Sequence, residues 1–208
     1  MKISKRLKAI CDLVPKGSKV IDIGADHALT DIYLEKEKNC TCLATDISEY
    51  SILKAKENIK KYNSNVKIKL TDGLNNIVLT DEILIISGMG TNNIIKILNK
   101  KITNDIIISS HTKISDLRKF MIKKGYHIEK ELALKDKYYY IITYYKYGKK
   151  KKINYIISPF LTNNQDYMEH LLNHYKMKYN KNTNFLKKIK YKYIVNKIEK
   201  ATKKKKTL

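Results

Sequence analysis

Lys19-Val20-Ile21-Asp22-Ile23-Gly24-Ala25-Asp26-His27-Ala28 is the stretch on which the fold turns. Its first half is a short β-branched run closed by a glycine, the pattern of a buried parallel strand entering a tight turn. Its second half opens a helical pattern running from His27 to Lys38. Upstream, Ile3, Leu7, Ile10, Leu13 and Val14 keep a helical spacing that stops at Pro15-Lys16-Gly17, which predicts an entry helix.

Downstream the alternation repeats. Thr41 to Asp46 reads as a strand, Glu49 to Tyr62 as a helix with Ile52, Leu53, Ala55 and Ile59 inward, and Val66 to Thr71 as a third strand. Glu82 to Ser87 is the most apolar strand, followed by Gly88-Met89-Gly90 and a helix from Asn92 to about Asn99. Asp105 to Ser109 and Ser115 to Lys124 supply one more strand and helix. Strands and helices at this rhythm predict an α/β domain with a parallel sheet covered on both faces. His127 to Leu134 and Tyr138 to Tyr147 are then joined by Lys135-Asp136-Lys137, too few residues for a crossover helix, so they predict an antiparallel hairpin at one sheet edge. A parallel sheet finished by such a hairpin is the Rossmann-like plan of class I methyltransferases; a dinucleotide dehydrogenase would continue with another βα unit.

Ligands of an open α/β sheet bind at the carboxyl ends of its strands. Gly24 ends the first strand, where it lets the backbone turn close to a ligand. Asp46 ends the second, 22 residues later, near the spacing at which a carboxylate reaches ribose hydroxyls. Asp72-Gly73 follows the third and can meet an adenine amine. The pyrophosphate fingerprint Gly-x-Gly-x-x-Gly is missing, with Asp26 and Ala28 where further glycines would stand. A carboxylate at Asp26 would repel a pyrophosphate and suits the ammonium or sulfonium of S-adenosyl-L-methionine, which favours that cofactor over NAD. The alternative reading is that Asp26 caps the helix beside a surface imidazole at His27.

The chain has 208 residues with 43% apolar and 9% aromatic content, enough for one catalytic domain and a smaller attachment. Its formal charge is +23, and from Lys146 to Leu208 there are 18 lysines against Asp166, Glu169 and Glu199, so +15 sits in the last 63 residues. A polyanion is the natural partner. The run Lys149 to Lys152 reads as a linker or phosphate-facing loop, dividing a domain at 1–152 from a helical one at 153–208. In the latter, Met168, Leu171, Leu172 and Tyr175 form one apolar face and Phe185, Leu186, Ile189, Tyr193, Val195 and Ile198 another, with a turn near 180–184 and a frayed end at Lys203 to Lys206. Cys11, Cys40 and Cys42 lack metal or disulfide spacing, and no run spans a bilayer, so the expectation is a cytoplasmic monomer without metal or membrane attachment.

The runs Ile3 to Leu7 (Ile-Ser-Lys-Arg-Leu), Asp22 to Ala28, Ser87 to Gly90 (Ser-Gly-Met-Gly) and Ser158 to Leu161 (Ser-Pro-Phe-Leu) resemble, in order, the bacterial tRNA (adenine-22-N1)-methyltransferase family, TrmK. The resemblance implies a class I S-adenosyl-L-methionine-dependent domain, a C-terminal coiled-coil hairpin that helps bind tRNA, and methyl transfer to N1 of an adenine in the D arm. By position it implies that Arg6, Gly24, Asp26, His27, Asp46, Ile47, Asp72, Gly73, Gly88 and Gly90 hold the cofactor. Asp26, His27 and Met89 would act at the target base, Met89 packing on its ring. Two places depart from the family pattern: Ser109-Ser110-His111 replaces Gln-Pro-Asn, and Ala28-Leu29-Thr30-Asp31 replaces Ala-Tyr-Leu-Pro. The residues by themselves leave open another RNA, small-molecule or protein methyltransferase, or a catalytically silent nucleic-acid-binding protein.

Overall fold

The structure, a computed structural model, describes residues 1–148 and 154–203. The lysine run 149–152 and the chain end from Lys204, to which a linker and a frayed tail were assigned from sequence, lie outside the described residues. The described residues form two compact units, one within 1–151 and one within 152–208.

In the first unit the elements follow in the order α1 (Lys5–Leu13), β1 (Lys19–Ile23), α2 (Leu29–Lys38), β2 (Thr41–Asp46), α3 (Glu49–Lys61), β3 (Lys67–Leu70), β4 (Ile83–Ser87), α4 (Thr91–Ile97), β5 (Ile106–Ser110), α5 (Ile114–Lys123), β6 (Tyr126–Lys135) and β7 (Tyr139–Tyr147). The seven strands form one sheet in the order β3-β2-β1-β4-β5-β7-β6. Strands β1 to β5 are parallel, and the expected hairpin closes the edge antiparallel, with β7 pairing β5. Side chains of a strand alternate between faces. On one face Val20, Cys42, Ala44, Ile85 and Ile107 pack with Ile10 of α1, Ile32 of α2 and Ala55 of α3 in one core. Ile21, Ile23, Leu84, Ile86, Ile106 and Ile108 are the alternate residues; they too are buried, as are Ile94 of α4 and Leu117 and Met121 of α5.

In this unit two sequence expectations need correction. Leu53 is 56% exposed, because the inward stripe of α3 is narrower than its apolar content and centres on Ala55, with Ile52 and Ile59 partly buried. The helix expected from His27 starts at Leu29, because Asp26 and Ala28 both adopt the left-handed conformation (φ 52° and 54°) and the chain cannot begin a helix there. Ala28, not Asp26, is the N-cap.

In the second unit a short 3-10 turn (Pro159–Leu161) precedes α6 (Gln165–Lys181) and α7 (Phe185–Lys203), which pack on each other. Asn164 accepts the Tyr167 N–H and caps α6. The core here is Ile157, Met168, Ile194 and Ile198, flanked by Leu171, Leu172, Tyr175 and Tyr191. The inward face expected of α6 is therefore the observed one. That of α7 is rotated: Phe185, Leu186, Ile189 and Tyr193 are exposed, and Ile194 is buried. Apolar residues surround α7 on most sides, so its sequence does not single out a face. Among the described residues no helix is long and apolar enough to cross a membrane.

Candidate functional site

At the carboxyl ends of β1, β2 and β4 the sheet opens into a cavity of about 790 Å³, within the range of small-molecule sites. It is lined from the β1–α2 loop by Gly24, Ala25, Asp26 and His27, from β2 by Asp46 and Ile47, and from the turn after β3 by Asp72 and Gly73. Ser87, Gly88 and Met89 enter from β4, and Arg6 from α1. Of the residues singled out from sequence, Gly90 alone lies outside this lining; it is the N-cap of α4 with an ordinary φ of −69°.

The Asp46 carboxylate organises the site. Oδ2 accepts the Asp26 N–H at 3.1 Å and Oδ1 accepts the Ser48 N–H at 2.9 Å, so one side chain ties the β1–α2 loop to the start of α3. Each oxygen still has a lone pair to offer a ligand hydroxyl. Gly24 stands at φ 76°, and a Cβ there would collide with Cε of Met89. The missing side chain is thus what lets the Met89 thioether lie across the end of β1, and the two motifs that bracket the cavity interlock. Gly88, at φ 79°, has open space where its Cβ would be, leaving room for a ring to approach the backbone.

The Arg6 guanidinium donates to Ser87 Oγ at 3.2 Å and lies over the Tyr140 ring, 4.8 Å from its centroid. His27 Nε2 lies 3.4 Å from Asp26 Oδ1, both side chains substantially exposed at the cavity mouth. Below them Asp22 and Asp31 are buried. Burial and the neighbouring Asp46 charge push the Asp22 carboxyl up to about 7. Burial, then the Asp22 charge, holds Asp31 well above the ordinary carboxylate range.

Several lining residues were not read from sequence, among them Thr30, Asn93, Lys96 and Ile97. The last three occupy positions i, i+3 and i+4 of α4, one helix face, so a search of the helix after β4 for the face beneath the strand end was the available signal. Among the described residues no group of three His, Cys, Asp or Glu could hold a metal ion.

A methyltransferase-domain family profile matches residues 3–142, two thirds of the chain and all the elements that build this cavity. The chain belongs to that family. Within it the likeness is to TrmK proteins. MG248 of Mycoplasma genitalium, a candidate tRNA methyltransferase, is 30% identical over 188 residues, 84% of this chain and 85% of that protein. The tRNA (adenine(22)-N(1))-methyltransferase of Bacillus subtilis is 29% identical over 145 residues, 65% of this chain and 61% of that one. Among solved structures, TrmK of M. capricolum in complex with S-adenosyl-homocysteine superposes with a TM-score of 0.78 at 24% identity, covering 98% of this chain and 99% of that one. The chain is a TrmK-family methyltransferase-domain protein, and its fold is Rossmann-like.

Proposed function

We propose that this protein transfers the methyl group of S-adenosyl-L-methionine to N1 of adenine 22 in the D arm of tRNA, in the cytoplasm where tRNA resides. The observation that carries the reading is the Asp46-centred cavity: carboxylate oxygens with acceptor capacity left over, no pyrophosphate glycines, and Asp26 at the mouth where a dinucleotide would need a neutral loop. Relatives of this chain carry the same activity in their names.

The residues present fit the cofactor. Asp46 would accept its ribose hydroxyls, Ile47, 68% exposed, would lie against its adenine, and Asp72 would meet the exocyclic amine. Arg6 would pair with its carboxylate, and Asp26 with its ammonium. When bound, the cofactor supplies an electrophilic methyl on a cationic sulfur. Adenine N1 presents a lone pair without losing a proton; the N–C bond forms as the C–S bond breaks with its electrons going to sulfur. No general base is needed, so the protein acts by position: reacting atoms about 3 Å apart, in line and shielded from water. Gly88 leaves space for the target ring, Met89 covers it, and Asp26 with His27 faces the positive charge that develops on the base.

α6 and α7 would hold the tRNA, with Lys176, Lys178, Lys187, Lys190 and Lys192 exposed. Incubating unmodified tRNA transcript with labelled cofactor, then mapping the modified base, should place one methyl on N1 of adenine 22. Label on another nucleotide, or on metabolites instead of tRNA, would replace this reading. Asp26→Ala should lower turnover far more than tRNA affinity, and equal losses in both would remove Asp26 from the reacting centre.

A further inference from the structure

β5 leaves the sheet through Ser109, Ser110 and His111. The two serines are buried, and Ser110 Oγ lies 3.3 Å from Thr91 Oγ1 at the start of α4, where Thr112 Oγ1 also accepts the Thr91 N–H at 3.2 Å. Gly90 has no side chain to cap α4, so hydroxyls from the end of β5 hold that helix end in its place. His111 does something else. It is exposed, and its ring stacks on Tyr138 with centroids 4.8 Å apart and planes 8° from parallel.

Ser110 pairs with Ile141 in the sheet, so His111 emerges beside Tyr140, whose ring meets it edge-on at 5.2 Å. Tyr140 in turn carries the Arg6 guanidinium, and Arg6 with its partner Ser87 lines the cavity. At the outer end the Lys137 ammonium lies 5.6 Å from the Tyr138 centroid, next to Asp136 in the β6–β7 turn. A continuous strip therefore runs from the cavity wall to solvent: guanidinium, phenol, imidazole, phenol, ammonium.

Rings collected for packing alone end up covered. Here Tyr138 is 49% exposed at a turn otherwise built of charged residues, and His111 is exposed beside it. Solvent-exposed aromatic rings interleaved with cations are the physical form of a site for unpaired nucleic acid: a ring stacks on any base, and an ammonium or guanidinium meets the adjoining phosphate. The strip begins at Arg6 and its partner Ser87, next to Gly88 where the target base would be presented, so what lies along it is the chain beside that base.

We propose that the His111–Tyr138 pair is a stacking platform for an unpaired nucleotide flanking the methylated one, with Lys137 on its phosphate and Tyr140 and Arg6 linking the platform to the cavity. This rests on the RNA-methyltransferase reading above and adds the part of the RNA held beside the reacting base. The test uses the full-length protein. Methylation of tRNA transcript by the unaltered protein bears on the proposed function alone. Anisotropy of a labelled oligoadenylate, at salt high enough to suppress phosphate contacts, bears on the platform whether or not methyl is transferred. His111→Ala and Tyr138→Ala should each weaken the oligoadenylate roughly tenfold and raise KM for tRNA similarly, with S-adenosyl-L-methionine affinity by calorimetry unchanged. Tyr138→Phe keeps the ring and should restore both. Wild-type oligoadenylate affinity in the two alanine variants, or Tyr138→Phe as damaging as Tyr138→Ala, would overturn the platform.

Discussion

Asp31 is fully buried in the first turn of α2, and neither of its carboxylate oxygens has a hydrogen-bond partner. Nor has Oδ1 of Asp22, its neighbour from the end of β1. Two carboxylates buried side by side away from water cannot both be charged, and each is raised, Asp22 to about 7 and Asp31 well above its ordinary value. A proton held between them satisfies one oxygen with the other. The groups facing this pair do not neutralise it: Asp46 adds negative charge, and the Cys11 thiol, pushed up to about 12 first by burial, stays neutral, as does Cys42. Because the folded chain binds these protons more tightly than the unfolded one, the stability they confer is complete below the unfolded carboxylate value near 4. It is lost as pH rises through about 7, and further where Asp31 titrates. Asp31→Asn, whose amide can donate permanently to Asp22, should raise the unfolding free energy at pH 8 by roughly 1–3 kcal/mol and flatten its decline between pH 5 and 8. Denaturant titrations at several pH values check this; a variant as steep in pH as the parent would mean that the pair shares no proton.

Elements are held to one another at a few polar points as well as by the core. Arg118 of α5 donates from Nε and Nη2 to the two oxygens of Glu131 on β6, each at 3.0 Å, and Thr143 of β7 donates to Glu131 at 2.9 Å. Both side chains of the pair are buried, so removing one partner strands a charge away from water. Glu131→Ala should cost about 3–5 kcal/mol, whereas replacing Arg118 and Glu131 together by Met and Leu should cost much less. Chemical denaturation of the single and double variants separates the two; equal losses would show that the pair itself, not the stranded charge, matters. These elements were largely legible in the sequence, and the reasons are physical. β-branched runs ending in glycine or serine, and a three-residue link that forbids a crossover, leave few ways to build the sheet, so each strand falls within a residue or so of its expected bounds. Cavity residues at strand ends were legible for the same reason, since the strand end fixes where Gly24, Asp46 and Met89 stand. What was not legible depended on phase or on backbone sign. α7 carries apolar residues nearly all round, Leu53 sits beside a stripe too narrow to include it, and the left-handed Asp26 and Ala28 delay α2 by two residues without any glycine or asparagine to announce them. The Asp22–Asp31 pair was invisible because their separation in sequence says nothing of their meeting in space.

At the scale of the whole molecule, charge and chemistry are divided between two units. The first has its own core from Ile10 to Tyr144 and contains the cavity, and the second has a separate core around Met168, Ile194 and Ile198. The lysines of α6 and α7 contribute little to that second core: Lys187, Lys190 and Lys192 are exposed, and Lys176 pairs across to Glu199 at 2.9 Å. Exposed cations that do not hold the fold together are available to phosphates, and each phosphate neutralised releases counterions, steepening the salt dependence of binding by about one unit of the log–log slope. Changing Lys187, Lys190 and Lys192 to Gln should therefore leave the helices intact by circular dichroism and the cofactor affinity unaltered. It should also flatten the slope for tRNA by about two to three units and weaken binding most at low salt. Titrations of labelled tRNA at a series of salt concentrations measure this directly. A slope identical to that of the parent would assign these lysines to a merely solvated face, and tRNA binding would then have to come from the methyltransferase unit and its aromatic strip.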